Sequence, residues 1–507
     1  MPLPIQFNNS YAELPSHFYT HQSPTPVSSP NIIRRNLPLA KALGWDLEWL
    51  ESDAAALALS GNAILPGSEP IATVYAGHQF GNWNPQLGDG RAILLGEVLD
   101  EHQQRFDIQL KGAGKTAYSR GGDGRSPLGP VLREYILSES MAKMSVPTTR
   151  SLAATMTGDP VIRESVEPGA VLTRVASSHI RVGTFEFFSS RGDTEAVRTL
   201  ANHCMHRHFP EAWQADRPFL AFFELVAAAQ ARLISQWQPI GFIHGVMNTD
   251  NMLICGETVD YGPCAMMDTF DIKQVYSSID RNGRYAYGNQ PAIAQWNLSS
   301  LAQALLPLID DNNDVAVSLA KEALDDFPKQ YYQAYHSGFL AKLGLKTQSS
   351  ENLALIESLL TLLETEQLDF TLCFRKLADL VDTTNEQDGQ SVDALFRFPK
   401  AADDWLSKWQ SQVDEEGRDR AVVQSEMRAV NPVFIPRNHL VQAVIDAAER
   451  EGDLQPFNAL MDVLERPYDY DGYSYDGYSY DGHNKELEHY AIPPRPEQVV
   501  RQTFCGT

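Results

Sequence analysis

Asp250, Asn251 and Asp260 place two carboxylates and an amide in one short stretch of chain. An amide and a carboxylate are hard oxygen ligands of the kind Mg2+ takes alongside phosphate oxygens, so Asn251 and Asp260 are the candidate metal ligands. Asp250 is the carboxylate beside them. It suits a proton acceptor for an attacking hydroxyl; a water-mediated ligand or a solvated loop residue are the plainer readings. Upstream, Gly88-Asp89-Gly90-Arg91 joins two residues that let the backbone approach a phosphate to a forked cation. Alone, such a Gly-x-Gly is more often a hairpin turn. Lys111 closes an Ile-Gln-Leu run, and Glu134 follows it in a stretch of helical spacing. Together they suit an ammonium that meets phosphates and a carboxylate that holds it. Ser119 to Arg125 is a second glycine-rich, charged loop containing Asp123 and Gly124. Arg174 and Arg181 add two cations, which composition alone would put on the surface. Lys111-Gly-Ala-Gly-Lys-Thr116 is not a P-loop, because its glycines are one residue apart rather than four.

These residues need elements to carry them. Arg91–Leu99 and Phe106–Lys111 flank a polar turn and read as a hairpin. Apolar residues between Leu128 and Met144 recur at helical spacing and put Glu134 on a helix. Ala170–Val175 and Ile180–Phe188 read as two further strands, with Arg174 and Arg181 about the turn between them. A short helical stretch is expected over Leu37 to Leu50. From about residue 191 the pattern is mostly helical, with candidates at 193–208, 218–236, 291–308, 314–343, 351–366, 371–380 and 438–452. Strands followed by helices predict two α+β parts with a cleft between them. Tyr470 to Gly482 repeats Tyr, Asp and Gly with a five-residue period, which is turn-forming and reads as an expanded surface loop.

The chain has 507 residues, of which 43% are hydrophobic and 21% charged, the balance of a soluble globular protein. That length is too great for one compact core and suits two lobes. A formal net charge of -24 argues against a general nucleic-acid binder, because nothing offsets repulsion from phosphate. A nucleotide pocket needs only a few local cations. The five cysteines are odd in number and lack paired ligand spacing, which predicts reduced thiols. Asn202 to His208 contains three histidines and Cys204, but its spacing is poor for zinc and it reads as a polar helical surface. The first thirty residues carry no apolar signal core, and no apolar run approaches the ~18 residues that span a bilayer. A cytoplasmic location is expected by elimination.

His244 and Asn251 keep the separation of the protein-kinase pattern H-R-D-x-x-x-x-N, and Asp260-Tyr-Gly262 follows where kinases have D-F-G. The position of the kinase's catalytic Asp is Val246, which cannot take a proton. The longer strings are more specific. Tyr75-Ala-Gly-His-Gln-Phe-Gly-Asn-Trp-Asn-Pro-Gln-Leu-Gly-Asp-Gly-Arg91, Tyr118-Ser-Arg-Gly-Gly-Asp-Gly-Arg125, Ile435-Pro-Arg-Asn-His-Leu440 and Thr503-Phe-Cys-Gly-Thr507 resemble the selenoprotein O (SelO) family over essentially the whole chain. The resemblance implies an α+β, protein-kinase-like, two-lobed fold: residues 1–190 as an N-terminal extension and strand-containing N-lobe, 191–507 as a helical C-lobe with a C-terminal extension. It implies a protein adenylyltransferase that binds ATP flipped relative to kinases and moves AMP to Ser, Thr or Tyr hydroxyls. The implied nucleotide contacts are Gly88, Gly90, Arg91, Lys111, Asp123, Gly124, Arg174, Arg181 and Asp260. The implied metal ligands are Asn251 and Asp260, the base Asp250, and the supporting carboxylate Glu134. Mg2+ is the expected ion, with Mn2+ the alternative. The expected partners are ATP and protein substrates, with neither nucleic acid nor membrane, and the chain is expected to be a monomer. Competing readings are transfer of UMP with Mn2+, a non-catalytic nucleotide-binding pseudokinase, and a true kinase using Asp250. Some members tie a Cys of the activation region to the C-terminal Cys. Here Tyr276 stands at that place, which puts redox gating through Cys505 in doubt.

Overall fold

The computed structural model describes residues 5–382, 395–469 and 485–504. The fold is α+β, with strands concentrated in the first part of the chain and helices in the rest. Strands β1 (Tyr19–His21), β2 (Asn31–Arg35), β3 (Ile71–Thr73), β6 (Ala92–Leu99), β7 (Arg105–Lys111), β9 (Arg150–Ile162) and β10 (Val166–Ala176) form one sheet in the order β1-β3-β6-β7-β10-β9-β2, with β8 (Ser126–Pro127) pairing against β10. Every pairing in it is antiparallel. A separate hairpin lies between β3 and β6 in sequence: β4 (Gly77–Gln79) and β5 (Asn82–Asn84).

The sheet is covered on both faces, and the alternation of its strands shows it. Ile93 and Leu95 of β6, and Val171 and Val175 of β10, pack with the small helices α1 (Leu37–Ala42), α2 (Leu47–Leu50) and α3 (Asp53–Leu59). Leu94, Ala170 and Leu172 point the other way, onto α4 (Leu128–Lys143). The expected helix over Leu37 to Leu50 is thus two helices, broken at Gly44, whose φ is +73°. Strand register then assembles charge on the α4 face. Lys111 pairs with Leu172, and Gln109 pairs with Arg174, so Lys111 and Arg174 share the face that Glu134 of α4 looks onto.

One element differs from the sequence reading. Ile180–Phe188 is not a strand; Val182–Ser189 is a helix, α5. Val182, Gly183, Thr184, Phe185, Glu186 and Phe188 are all buried. A helix buried all round has no polar face to reveal its period, and β-branched and aromatic residues then mimic a strand. The Arg181 backbone N–H donates to Thr184 Oγ1 at 3.3 Å and helps start the helix.

The helical part begins with α6 (Thr194–His208) and α7 (Pro218–Trp237). After the short strands β11 (Phe242–Ile243) and β12 (Ala265–Met266) come α8 (Gln290–Ile309), α9 (Asn313–Lys342), α10 (Ser350–Thr365), α11 (Phe370–Val381), α12 (Asp403–Glu415), α13 (Arg420–Val430), α14 (Asn438–Glu451), α15 (Gln455–Leu464) and α16 (Lys485–Ala491). Helix α7 packs against α8 and α9. Contrary to the sequence reading, Pro218–Ile240 is long and apolar enough, by length and composition, to cross a bilayer. In this fold its apolar residues, among them Phe222, Phe223, Val226 and Ile234, are core. The histidine-rich end of α6 is a polar surface only in part. His206 is exposed, but Cys204 and Met205 are buried, and the Arg207 side chain lies against Asp107 at 2.6 Å.

The tail runs beside the segment that contains Tyr276. The Thr503 N–H donates to the Tyr276 carbonyl at 2.8 Å, and the Ser278 N–H donates to the Thr503 carbonyl at 3.1 Å. Tyr276 is buried, and Cys204, Cys255, Cys264 and Cys373 are free thiols. Cys505 and the repeat at 470–482 lie outside the described residues.

Candidate active site

A cleft of about 630 Å3 opens beside the sheet. Gly88, Gly90, Arg91, Lys111, Asp123, Gly124, Arg174, Arg181, Asp250, Asn251 and Asp260 all line it, although they come from widely separated parts of the chain. Glu134 is not on its wall but directly behind it. Val246 lines the wall where the kinase pattern has its carboxylate.

The floor is a charge network. Lys111 Nζ donates to Glu134 Oε2 at 2.6 Å and to Asp260 Oδ1 at 2.9 Å. Arg174 Nη2 donates to Glu134 Oε1 at 2.5 Å and to Asp260 Oδ1 at 2.7 Å. Two cations are thus held between two carboxylates. Burial would raise the Glu134 carboxyl, but Arg174 and Lys111 hold it below the usual range. Burial opposes ionisation of Asp260 as well, and Lys111, Arg174 and Arg181 hold it well below. Burial would lower Arg174, and Glu134 and Asp260 hold it up. Arg181 stands over the Tyr75 ring at 4.4 Å, and its Nη1 lies 3.7 Å from Asp260 Oδ2. The surface reading of Arg174 and Arg181 is therefore wrong. Both are buried, in the same cleft as the other residues that the family resemblance named with them.

Asp260 has φ +62°, a left-handed conformation that costs a non-glycine residue on the order of 1 kcal/mol or more. The network around its carboxylate holds it there. His244 ties this corner to the preceding loop: its Nε2–H donates to the Val259 carbonyl at 2.8 Å, and its Nδ1 accepts from the Val246 N–H at 3.3 Å. Burial lowers the His244 imidazole, in keeping with a neutral tether rather than a base.

Asn251 Nδ2 donates to the Val246 carbonyl at 3.0 Å, which fixes the amide and turns its oxygen to the role of acceptor. Asp260 spends Oδ1 on Lys111 and Arg174, leaving Oδ2 as the oxygen away from that pair. Two such oxygens fit a small hard cation completed by phosphate and water. Among the described residues no group of three or more His, Cys, Asp or Glu makes a protein-only metal cage. Asp250 lies on a single 3-10 turn, Thr249–Asn251. Burial raises its carboxyl to about 6, against the opposing pull of Gln79 and Arg181.

The upper wall is two loops locked together. Thr116 Oγ1 donates to the Asp89 carbonyl at 2.6 Å, and Ser119 Oγ donates to the Gly90 carbonyl. Gly88 has φ +127°, and a Cβ there would lie 2.4 Å from the Tyr118 ring. The Gly-x-Gly is thus needed for loop packing as well as for open access. Asp123 is held by Arg163, with contacts of 2.8 and 3.0 Å, and burial of the pair is partial. The hydrogen bond from Arg163 holds the Asp123 carboxyl below its usual range.

Sequence reasoning missed several residues here. Asp89 is buried, and its Oδ2 accepts from the Thr73 N–H and hydroxyl at 3.0 and 2.6 Å. Its Oδ1 lies 3.8 Å from Arg181 Nη2. A carboxylate between two glycines was signal enough to find it. Tyr75, Gln79 and Arg163 also line the cleft, and nothing in their local spacing marks them.

The family model described as Protein adenylyltransferase SelO matches residues 2–465. The chain is 53% identical over 507 residues to a "Protein nucleotidyltransferase YdiU" of Rhodopseudomonas palustris (strain BisB5), covering 100% of both chains. It is similarly 53% identical over 504 residues to the protein of that name from Rhizobium meliloti (strain 1021), covering 99% of each. To that of Rhizobium rhizogenes it is 51% identical, covering 99% of this chain and 97% of the relative.

Proposed function

This chain belongs to the SelO family of protein adenylyltransferases, and from that premise we propose that it transfers AMP from ATP to hydroxyl groups of proteins at the cleft around Asp260. As a member it is a protein nucleotidyltransferase. Our assignment concerns the nucleotide, its orientation and the residues.

The observation that carries it is the depth of the cations. Arg174 and Arg181 are buried at the floor with Lys111 partly buried beside them, while the carboxylate Asp250 stands at a separate point of the same cleft and the kinase base position is Val246. Cations at the floor suit the β- and γ-phosphates, and in this reading the α-phosphorus lies toward Asp250. The acceptor oxygen attacks that phosphorus. The bond between it and the β-bridging oxygen breaks, and pyrophosphate leaves with the electron pair. The hydroxyl proton passes to Asp250 or to solvent. Lys111, Arg174 and Arg181 meet the charge that builds on the leaving group in a site already desolvated, where fixed cations act most strongly. Asn251 and Asp260 would hold Mg2+ or Mn2+, which supplies further positive charge to the phosphates. In this reading the sheet-containing and helical parts are the two lobes of a kinase-like fold, divided near residue 190.

UTP with Mn2+ is the second reading, because phosphate and metal contacts do not select a base. Intact-mass analysis after incubation with ATP or UTP, and Mg2+ or Mn2+, decides between them. We expect the mass of one AMP on acceptor protein with ATP and none once the metal is chelated. A phosphoryl mass would contradict the proposal, and UMP alone would favour the alternative.

A further inference from the structure

The hairpin of β4 and β5 has no part in the chemistry described so far, yet it grips the turn that carries Asp250. Its successive residues engage successive residues of that turn. The Phe80 N–H donates to Asn248 Oδ1 at 3.0 Å, the His78 N–H donates to Thr249 Oγ1 at 2.7 Å, and Gln79 Nε2 donates to Asp250 Oδ2 at 3.0 Å. His78 is itself fixed, its Nδ1 lying 2.6 Å from Glu186 Oε1 on α5. On the opposite side the Asp250 carboxylate meets bare backbone. A Cβ on Gly77 would lie 2.6 Å from Asp250 Oδ1. That oxygen is buried and has no hydrogen-bond partner. The two oxygens are therefore unequal. Oδ1 is turned against Gly77, and Oδ2 is held by Gln79, which lines the cleft.

We propose that Gln79 is the positioning residue for Asp250. Its amide aims Oδ2 at the acceptor hydroxyl, while Gly77 supplies the gap that lets the carboxylate turn that way. This rests on the assignment of Asp250 as the group that takes or orients the acceptor proton. A carboxylate with one oxygen sealed has one working oxygen, and a single amide sets its direction. Neither Gln79 nor Gly77 belongs to the Lys111, Glu134, Arg174 and Asp260 network proposed to meet the phosphates, so that network should survive their substitution.

The test is Gln79→Met, which keeps the length of the side chain and removes the donor, with Gly77→Ala as an independent push on the same carboxylate from the other side. Wild type and both variants are compared for kcat and KM in nucleotidyl transfer, ATP affinity by calorimetry, and Tm. For Gln79→Met we expect kcat to fall by roughly tenfold or more, as misplacing a reacting group does, with ATP affinity and KM for ATP within twofold of wild type and Tm unchanged. Gly77→Ala should lower kcat in the same way. Wild-type kcat in Gln79→Met would overturn the inference while leaving the proposed function standing. So would a loss of kcat that came with an equal loss of ATP affinity or Tm, since that is the mark of a structural prop. A wild-type chain that transferred no nucleotide would instead sink the functional reading, and this inference with it.

Discussion

Asp260→Ala should reduce nucleotidyl transfer by at least about 10^3-fold and weaken metal-dependent ATP binding. Removing one well-placed charge-stabilising group from an active site costs on the order of 10^2 to 10^3, and Asp260 is more than one such group. It is a candidate metal ligand, and its Oδ1 also accepts from both Lys111 and Arg174. The substitution therefore removes a ligand and releases two cations at once. It also removes the contacts that hold residue 260 at φ +62°. Asp260→Asn separates these effects, because the amide keeps shape and one acceptor oxygen but loses the charge. Transfer and ATP binding measured side by side check the prediction; near-normal activity in the alanine variant would remove Asp260 from the site.

Glu134→Ala should cost about 3–5 kcal/mol of stability, the range for breaking a buried ion pair by removing one partner. Sequence spacing alone presents Glu134 as a partner of Lys111 whose loss merely misorients it. The structure gives it two cations, with Arg174 Nη2 at 2.5 Å and Lys111 Nζ at 2.6 Å. Without Glu134, Arg174 is left buried with Asp260 as its remaining carboxylate partner. Activity should fall too, though by less than in Lys111→Ala, which takes away a proposed phosphate contact outright. Denaturant titration of both variants beside their transfer rates checks the order. An unchanged stability in Glu134→Ala would show that Arg174 finds another partner.

The reach of the sequence was set by what short range can encode. The Lys111 and Glu134 pair was legible because a strand and the next helix meet at a fixed spacing. The loop at Gly88 to Arg91 was legible only in company with Lys111 and Glu134, since alone its Gly-x-Gly is more often a hairpin turn. Arg174 was obscured, since burial of a cation depends on partners distant in the chain. Helix α5 was misread because a fully buried helix shows no period. Gln79 was invisible as a functional residue: its partner Asp250 is 171 residues away, and only the hairpin's position against the turn brings them together.

The central claim is that the floor of the cleft grips the leaving phosphates and so leaves the α-phosphorus for the acceptor. Incubating the protein and candidate substrates with ATP labelled at the α-phosphate, and separately at the γ-phosphate, tests it most directly. The account predicts that α-label becomes fixed to protein, that γ-label is recovered in pyrophosphate, and that Asp250→Ala lowers incorporation more than it lowers ATP binding. Incorporation of γ-label in place of α-label would contradict it.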